Sequence, residues 1–185
     1  MRKLRAWLYV TLDGVVEAPE KWVMPDDQMF EEQTDDYAAS DALLLGRRTY
    51  EVFAASWPQR GSDVPNADWM NTTRKYVAST TLESPQWQNT TVLKGDVSEA
   101  VSRLKREDGE TITLNGSAAL LRSLLRAGLV DELRLFLHPV VLGSGHRLFD
   151  NGDDLGALEL TECHAYDNGV VSLTYRPKTG REIEE

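Results

Sequence analysis

Three stretches of this chain carry residue types and spacings that could act on a charged or planar ligand. The first is Gly46-Arg47-Arg48-Thr49. It follows the apolar run Ala42 to Leu45, which reads as a strand buried on both faces, and precedes Tyr50, Phe53 and Ala54 at helical spacing. A buried strand turning into a helix N-terminus suits an anion: the first backbone N–H groups have no intrahelical partner, the macrodipole adds partial positive charge, and two guanidinium groups offer forked donors to phosphate oxygens. Gly46 is expected to let a ligand approach the backbone. The alternative is that Gly46 only makes the turn and both arginines are solvated, and this stretch alone leaves both readings open. The second stretch repeats the pattern: Thr111 to Leu114 is β-rich, Asn115-Gly116-Ser117 makes a glycine turn, and Ala118 to Ala127 becomes helix before Gly128. In the third, Trp22 and two prolines precede Asp26 and Asp27, which supply N-cap chemistry for a helix reaching about Ala39. Met29, Phe30, Gln33 and Tyr37 should share one side of that helix, and Glu31, Glu32, Asp35 and Asp36 its wet face.

The elements that must position these stretches alternate. Strands are expected at Leu4 to Leu12, Ala42 to Leu45, Lys75 to Ser79, Thr90 to Leu93 and Thr111 to Leu114, with helices after the first, second, fourth and fifth and a short helical piece at Asn66 to Met70. That order predicts an α/β fold with a mostly parallel central sheet and helices on both faces. The ending departs from it. Glu132 to Leu142, Ala157 to Ala165 and Val170 to Tyr175 follow without a helix, and Asp167-Asn168-Gly169 signals a hairpin, so a C-terminal antiparallel hairpin is added at the edge. A single domain over residues 1–177 and a polar tail over 178–185 complete the organisation.

Composition narrows the function classes. The chain has 185 residues, 41% of them hydrophobic, and a formal charge of -10 with no basic stripe, which disfavours nucleic acid as partner. Met1-Arg2-Lys3 leads straight into a strand pattern and no apolar run approaches membrane-spanning length, so a cytoplasmic protein is expected. The single Cys163 reads as a small core hydrophobe. Trp7, Trp57, Trp69 and Trp87 read as core or interface, and His138, His146 and His164 as structural or surface groups without metal-ligand spacing. Gly143-Ser144-Gly145 reads as a structural turn.

In an open α/β sheet, ligands bind beyond the carboxyl ends of the strands, and Thr11 to Gly14, Gly46 to Thr49, Ser79-Thr80, Lys94-Gly95 and Asn115 to Ala118 all fall at such ends. A phosphate-bearing nucleotide suits this set. No G-x-G-x-x-G, G-x-x-x-x-G-K-[ST] or G-x-S-x-G occurs, which disfavours ordinary Rossmann dehydrogenases, P-loop enzymes and α/β-hydrolases.

Gly46 to Tyr50, Ala78-Ser79-Thr80 and the run LNGSAALLRSLLRAGLVDELRLFLHPVVLGSGHRLF from Leu114 to Phe149 resemble the dihydrofolate reductase superfamily, most nearly the C-terminal reductase domain of the bifunctional riboflavin-biosynthesis deaminase-reductase. The resemblance spans Leu4 to Arg176. It implies an NADPH-dependent reductase and a homodimer. Gly46, Arg47, Arg48 and Thr49 would contact phosphates, Ser79 and Thr80 the adenosine 2′-phosphate region, and Gly116, Ser117 and Ala118 the pyrophosphate, with Lys94 assisting. The family's glycine-rich turn is reduced here to the single Gly116, and a flavin in place of NADPH is conceivable. The match also places Asp27 at the family's substrate-binding acid, with Trp22 and Phe30 beside it, where a carboxylate could hold a heterocycle by paired hydrogen bonds and help deliver a proton; the alternative is that Asp26 and Asp27 only cap the helix. The expected activity is hydride transfer to a small heterocyclic or carbonyl-type substrate, without a metal. Its rivals are a non-catalytic nucleotide- or ligand-binding module of the same fold and strict riboflavin-pathway reduction.

Overall fold

The computed structural model describes residues 1–149 and 155–178. Along the chain run β1 (Leu4–Thr11), α1 (Asp27–Ala38), β2 (Ser40–Gly46), α2 (Arg47–Ser56), α3 (Ala67–Thr72), β3 (Arg74–Ala78), β4 (Thr90–Leu93), α4 (Val97–Arg106), β5 (Thr111–Asn115), α5 (Ala118–Arg126), β6 (Glu132–His138), β7 (Leu158–Ala165) and β8 (Val171–Pro177). The strands form one sheet in the order β4-β3-β2-β5-β1-β6-β8-β7. Every pairing from β4 across to β6 is parallel, and β6-β8 and β8-β7 are antiparallel. This is the α/β sheet with an antiparallel C-terminal edge that the element order predicts.

Side-chain alternation divides the core into two layers. Leu4, Ala6, Leu8 and Val10 of β1 pack with Val101 and Leu104 of α4 and Leu120, Leu121 and Leu124 of α5. Trp7 and Tyr9 face the other way, towards Met29 and Tyr37 of α1, Tyr50 of α2 and Met70 of α3. Helices change face where the chain reverses its direction of travel across the sheet, as right-handed crossovers require.

Four expectations need correction. Asp36 is buried, not on a wet face, because β1 and β6 present guanidinium groups to that turn of α1: its carboxylate pairs with Arg5 at 2.5 Å and Arg134 at 2.7 Å. Phe30, expected beside Met29, is 39% exposed, and Gln33 and Tyr37 continue the buried stripe without it. β6 stops at His138 and not at Leu142, since Pro139 has no N–H for the ladder. Cys163 is exposed on β7, the outermost strand of the sheet. The polar tail lies outside the described residues beyond Lys178. Among the described residues no helix is long and apolar enough to cross a membrane.

Candidate functional site

β1 and β5 are neighbours whose outgoing connections leave over opposite faces, β1 towards β2 and β5 towards β6. Such a reversal leaves a crevice beyond the strands' carboxyl ends. Their last registered pair is Trp7 with Asn115, while β1 continues to Thr11. There a pocket of about 60 Å³ is lined by Trp7, Leu8, Tyr9, Val16, Pro19, Asn115 and Gly116.

Two strand-to-helix turns interlock beside this crevice. A Cβ on Gly46 would lie 2.2 Å from Ser117 Oγ and 2.7 Å from Ser117 Cβ, and one on Gly116 would lie 3.0 Å from Thr49 Cγ2. Gly116 also has φ +72, which a side chain would strain. The reading of Gly46 as an opening for a ligand is therefore corrected: its missing side chain is filled by Ser117, and it serves to bring the N-termini of α2 and α5 together. Those N-termini differ from those of α1 and α4. Asp26 caps α1 by accepting from Met29 N–H at 3.1 Å, and Asp96 caps α4 by accepting from Glu99 N–H at 3.0 Å, with acidic residues in both first turns. α2 has no side-chain cap, α5 has only Ser117 Oγ, 3.4 Å from Leu120 N, and neither has an acid in its first turn. Two positive helix ends meet with no carboxylate of their own.

The remaining predicted residues divide. Arg47 is exposed and pairs with Glu51 at 3.2 Å, while Arg48 is exposed and makes no hydrogen bond or ion pair among the described residues. Thr49 is half-buried against Gly116, and Ala118 opens α5 against the core. Ser79 is buried, its hydroxyl accepting from Thr81 N–H at 3.2 Å and Leu82 N–H at 3.0 Å, so it builds the turn after β3. Thr80 and Lys94 are exposed at the ends of β3 and β4. Trp22 is buried, donates its indole N–H to the Glu17 carbonyl at 2.8 Å and meets His138 edge-on. Asp27 does not join it in a cleft. It lies exposed on the first turn of α1, where Asp26 supplies the cap, so the structure gives no support to Asp27 as the acid or Phe30 as its neighbour.

Of the polar groups beneath the crevice, sequence reasoning placed only Asn115 at the ligand edge. Tyr9 donates to Gln33 Oε1 at 2.8 Å, and burial pushes its hydroxyl up to about 12. Asn115 donates to the Tyr37 hydroxyl, which burial holds well above its usual range. His138 accepts from Met24 N–H through Nδ1 at 3.3 Å, and burial lowers it to about 4, so the ring is neutral with its proton on Nε2. One signal was available: an amide inside the stripe Met29, Gln33, Tyr37, opposite a strand with aromatic residues at alternate positions.

The loops after β1 and β6 close one side of the site. Asp13 accepts from Thr11 Oγ1 at 2.6 Å and Gly143 N–H at 2.8 Å, bonds that hold its carboxyl down at about 2. Val16 N–H donates to the His146 carbonyl and Leu148 N–H to that of Gly14, which makes Gly143-Ser144-Gly145 part of a clasp. A wider, open groove of about 470 Å³ lies between α1 and β7, lined by Gln28, Glu31, Glu32, His164 and Tyr166. It holds none of the predicted site residues, and its two glutamates disfavour phosphate.

Comparison with known proteins agrees with this architecture. The uncharacterized Bacillus subtilis (strain 168) protein YyaP is 32% identical over 181 residues, covering 94% of each chain, and the uncharacterized YwjB of the same organism is 29% identical over 156 residues, covering 80% of this chain and 83% of its own. Among solved structures, a pyrimidine reductase-like protein from Corynebacterium diphtheriae superposes with a TM-score of 0.67 at 16% identity, covering 97% of this chain and 93% of that one. Dihydrofolate reductase from Enterococcus faecalis, complexed with NADP(H), gives 0.65 at 18%, covering 94% and 95%. The Thermotoga maritima diaminohydroxyphosphoribosylaminopyrimidine deaminase/5-amino-6-(5-phosphoribosylamino)uracil reductase gives 0.68 at 14%, covering 96% of this chain and 57% of that one. These structures share the dihydrofolate-reductase-like fold read from the Leu114 to Phe149 run. With the RibD C-terminal domain matched across residues 2–172, the chain belongs to that family.

Proposed function

We propose that this protein is an NADPH-dependent reductase of a small heterocyclic or carbonyl-type substrate. The observation that carries the reading is the meeting of two helix N-termini, those of α2 and α5, with no acid in either first turn and with Arg47 and Arg48 at one of them. Such ends attract anions, and the cradle fits a dinucleotide's phosphates. The first N–H groups of α2 with Arg48 would hold one phosphate and the Asn115-Gly116-Ser117 turn another. Thr80 and Lys94 stand at the outer strand ends for a further phosphate, and Ser79 shapes that turn.

Bound NADPH supplies a hydride. The chain's own part is orientation: Trp7, Tyr9 and Val16 wall the pocket against water, and Asn115, bonded to Tyr37, fixes the edge of the glycine turn. The pocket lining contains no carboxylate, so its residues position a substrate and do not act as a strong acid. A reductase drawing on NADPH works where that cofactor is made, so the cytoplasmic placement belongs to the same proposal, as does the homodimer, for which the uncovered outer strand β7 offers an edge.

Titration calorimetry with NADPH and NADH at two salt concentrations tests the reading. NADPH should bind more tightly and lose affinity as salt rises, and Arg48→Ala should weaken it by about 2- to 5-fold, the range for an exposed ion pair. Equal affinities for the two nucleotides would sink the assignment. The pocket of about 60 Å³, far below the several hundred a ligand of drug size fills, favours one rival: a module that binds the nucleotide without turnover. NADPH binding with no oxidation across dihydropterins, ribosylaminopyrimidines, quinones and small carbonyls would decide for that rival.

A further inference from the structure

β7 ends the sheet with one side of its backbone unpaired, and seven of its eight residues are exposed. Two bonds fix which of its residues face outward. Lys178 N–H donates to the Ala157 carbonyl at 3.0 Å and Tyr166 N–H to the Val170 carbonyl at 2.9 Å, so the backbone groups of Ala157 and Tyr166 turn towards β8. In an antiparallel pair that direction alternates residue by residue. Counted from both ends, Leu158, Leu160, Cys163 and Ala165 present their N–H and C=O groups to the outside, and the two counts agree because a bulge inserts Thr161 between Leu160 and Glu162. Edge strands are guarded against further pairing by charged residues or Pro. Here all four outward residues are uncharged, in a chain of formal charge -10.

We propose that this edge is a self-complementary interface on which a second copy of the chain adds its own β7, antiparallel about a two-fold axis beside Thr161. Leu158 then lies opposite the partner's Ala165, Glu159 opposite the partner's His164 and Leu160 opposite the partner's Cys163. Outward residues meet outward residues on both strands, so the unpaired ladder groups of each copy satisfy those of the other. Charge agrees with this register. Glu162 reaches Arg134 at 3.5 Å and His164 lines the groove against α1, and Glu159 shares that side across the bulge. Two carboxylate–imidazole pairs related by the axis therefore form there, between chains that otherwise repel. Neighbouring registers either set an outward residue against an inward one or oppose Glu159 to the partner's Glu162. This inference rests on the homodimer of the reading above and uses nothing of its cofactor.

Disulfide formation reads the register. Leu160→Cys sets a thiol opposite the partner's Cys163, with Cα atoms about 5.5 Å apart as in a bonded antiparallel pair, a separation that a disulfide spans. Cys163 and the partner's Cys163 stand three residues out of step, about 10 Å. Under mild oxidation Leu160→Cys should give at least about tenfold more covalent dimer on a non-reducing gel than the wild type or than Leu160→Cys combined with Cys163→Ser. Glu159→Gln should weaken the dimer by about 2- to 30-fold in sedimentation, because the axis counts the lost pair twice, and Glu159→His with His164→Glu should restore it. No disulfide in Leu160→Cys, equal disulfide in all three proteins, or a Glu159→Gln dimer of unchanged affinity would each overturn the proposal. Light scattering and an NADPH titration keep the readings apart. A monomeric wild-type mass removes the homodimer and this interface together, a dimeric mass without the disulfide removes this interface alone, and absence of NADPH binding removes the reductase reading while the register stands.

Discussion

Gly46→Ala tests the interlock on which the site is built. Gly46 has φ -79, so alanine meets no backbone strain there, and the whole effect should come from the 2.2 Å and 2.7 Å approaches to Ser117 Oγ and Cβ. Oγ can rotate away, but Cβ is fixed to the backbone, so the turn before α5 must shift. Overpacking of this kind costs about 1–3 kcal/mol, and loss of the Ser117 cap adds up to about 1 kcal/mol. Ser117→Gly alone should be close to neutral: glycine caps nearly as well, and Ser117 sits at φ 56, where a side chain is disfavoured. With both changes the clash is gone, so the double variant should recover most of the loss, a coupling of about 1–3 kcal/mol. Urea denaturation of the four proteins gives the cycle directly, and melting temperatures should follow at about 2–4 °C per kcal/mol for a chain of this size. NADPH affinity should fall in Gly46→Ala and return in the double variant. If Gly46→Ala is as stable as wild type, or the two changes simply add, the turns are not in contact and the paired helix ends lose their basis.

Other consequences are as direct. Asp26→Ala should cost about 1 kcal/mol through the lost cap, while Asp27→Asn should change neither stability nor any NADPH oxidation; a fall in turnover for the latter would restore Asp27 as the acid. Arg134→Met removes one of the two guanidinium groups paired with the buried Asp36 carboxylate, leaving Arg5, and should destabilise by about 1–3 kcal/mol in chemical denaturation. His138 is neutral in the folded protein down to about pH 4, while unfolded it takes a proton near its ordinary value of 6.5. The unfolded chain therefore binds more protons between those values, and the stability this group confers is full above about pH 6.5 and lost as pH falls towards 4. His138→Phe should flatten that limb by up to about 1.4 kcal/mol per pH unit, and an unchanged slope would mean the ring is not buried neutral. A dimer should appear by light scattering at micromolar concentration, and Leu160→Lys, at a half-exposed position of β7, should weaken it; a monomeric wild-type mass counts against the assembly.

The fold was legible because local signals agreed. Asp13-Gly14, Asn115-Gly116-Ser117 and Asp167-Asn168-Gly169 punctuate the chain where strands end, and the change from period 2 to period 3.6 after Gly46 and Ser117 marks each helix. Pro139 was the exception, since the apolar residues beyond it continue the strand pattern that its missing N–H ends. Burial of Asp36 could not be read from α1 alone. On its own helix it belongs to an acidic face, and only Arg5 and Arg134, brought from two other strands, make burial tolerable.

The site was harder for a related reason. The family resemblance placed Asp27 beside Trp22 as an acid in a cleft, but where a helix-initial carboxylate points is settled by the cap, and Asp26 has taken that place, leaving Asp27 outward. Gly46 shows the same limit from the other side. The freedom glycine gives the backbone is a local property, but here its value lies in what it leaves room for, a serine just beyond the end of the adjacent strand β5. Glycine turns at successive strand ends thus announce that something must come close. In this protein the first thing to come close is the neighbouring turn, and it is that contact which sets side by side two helix ends with no acid in their first turns.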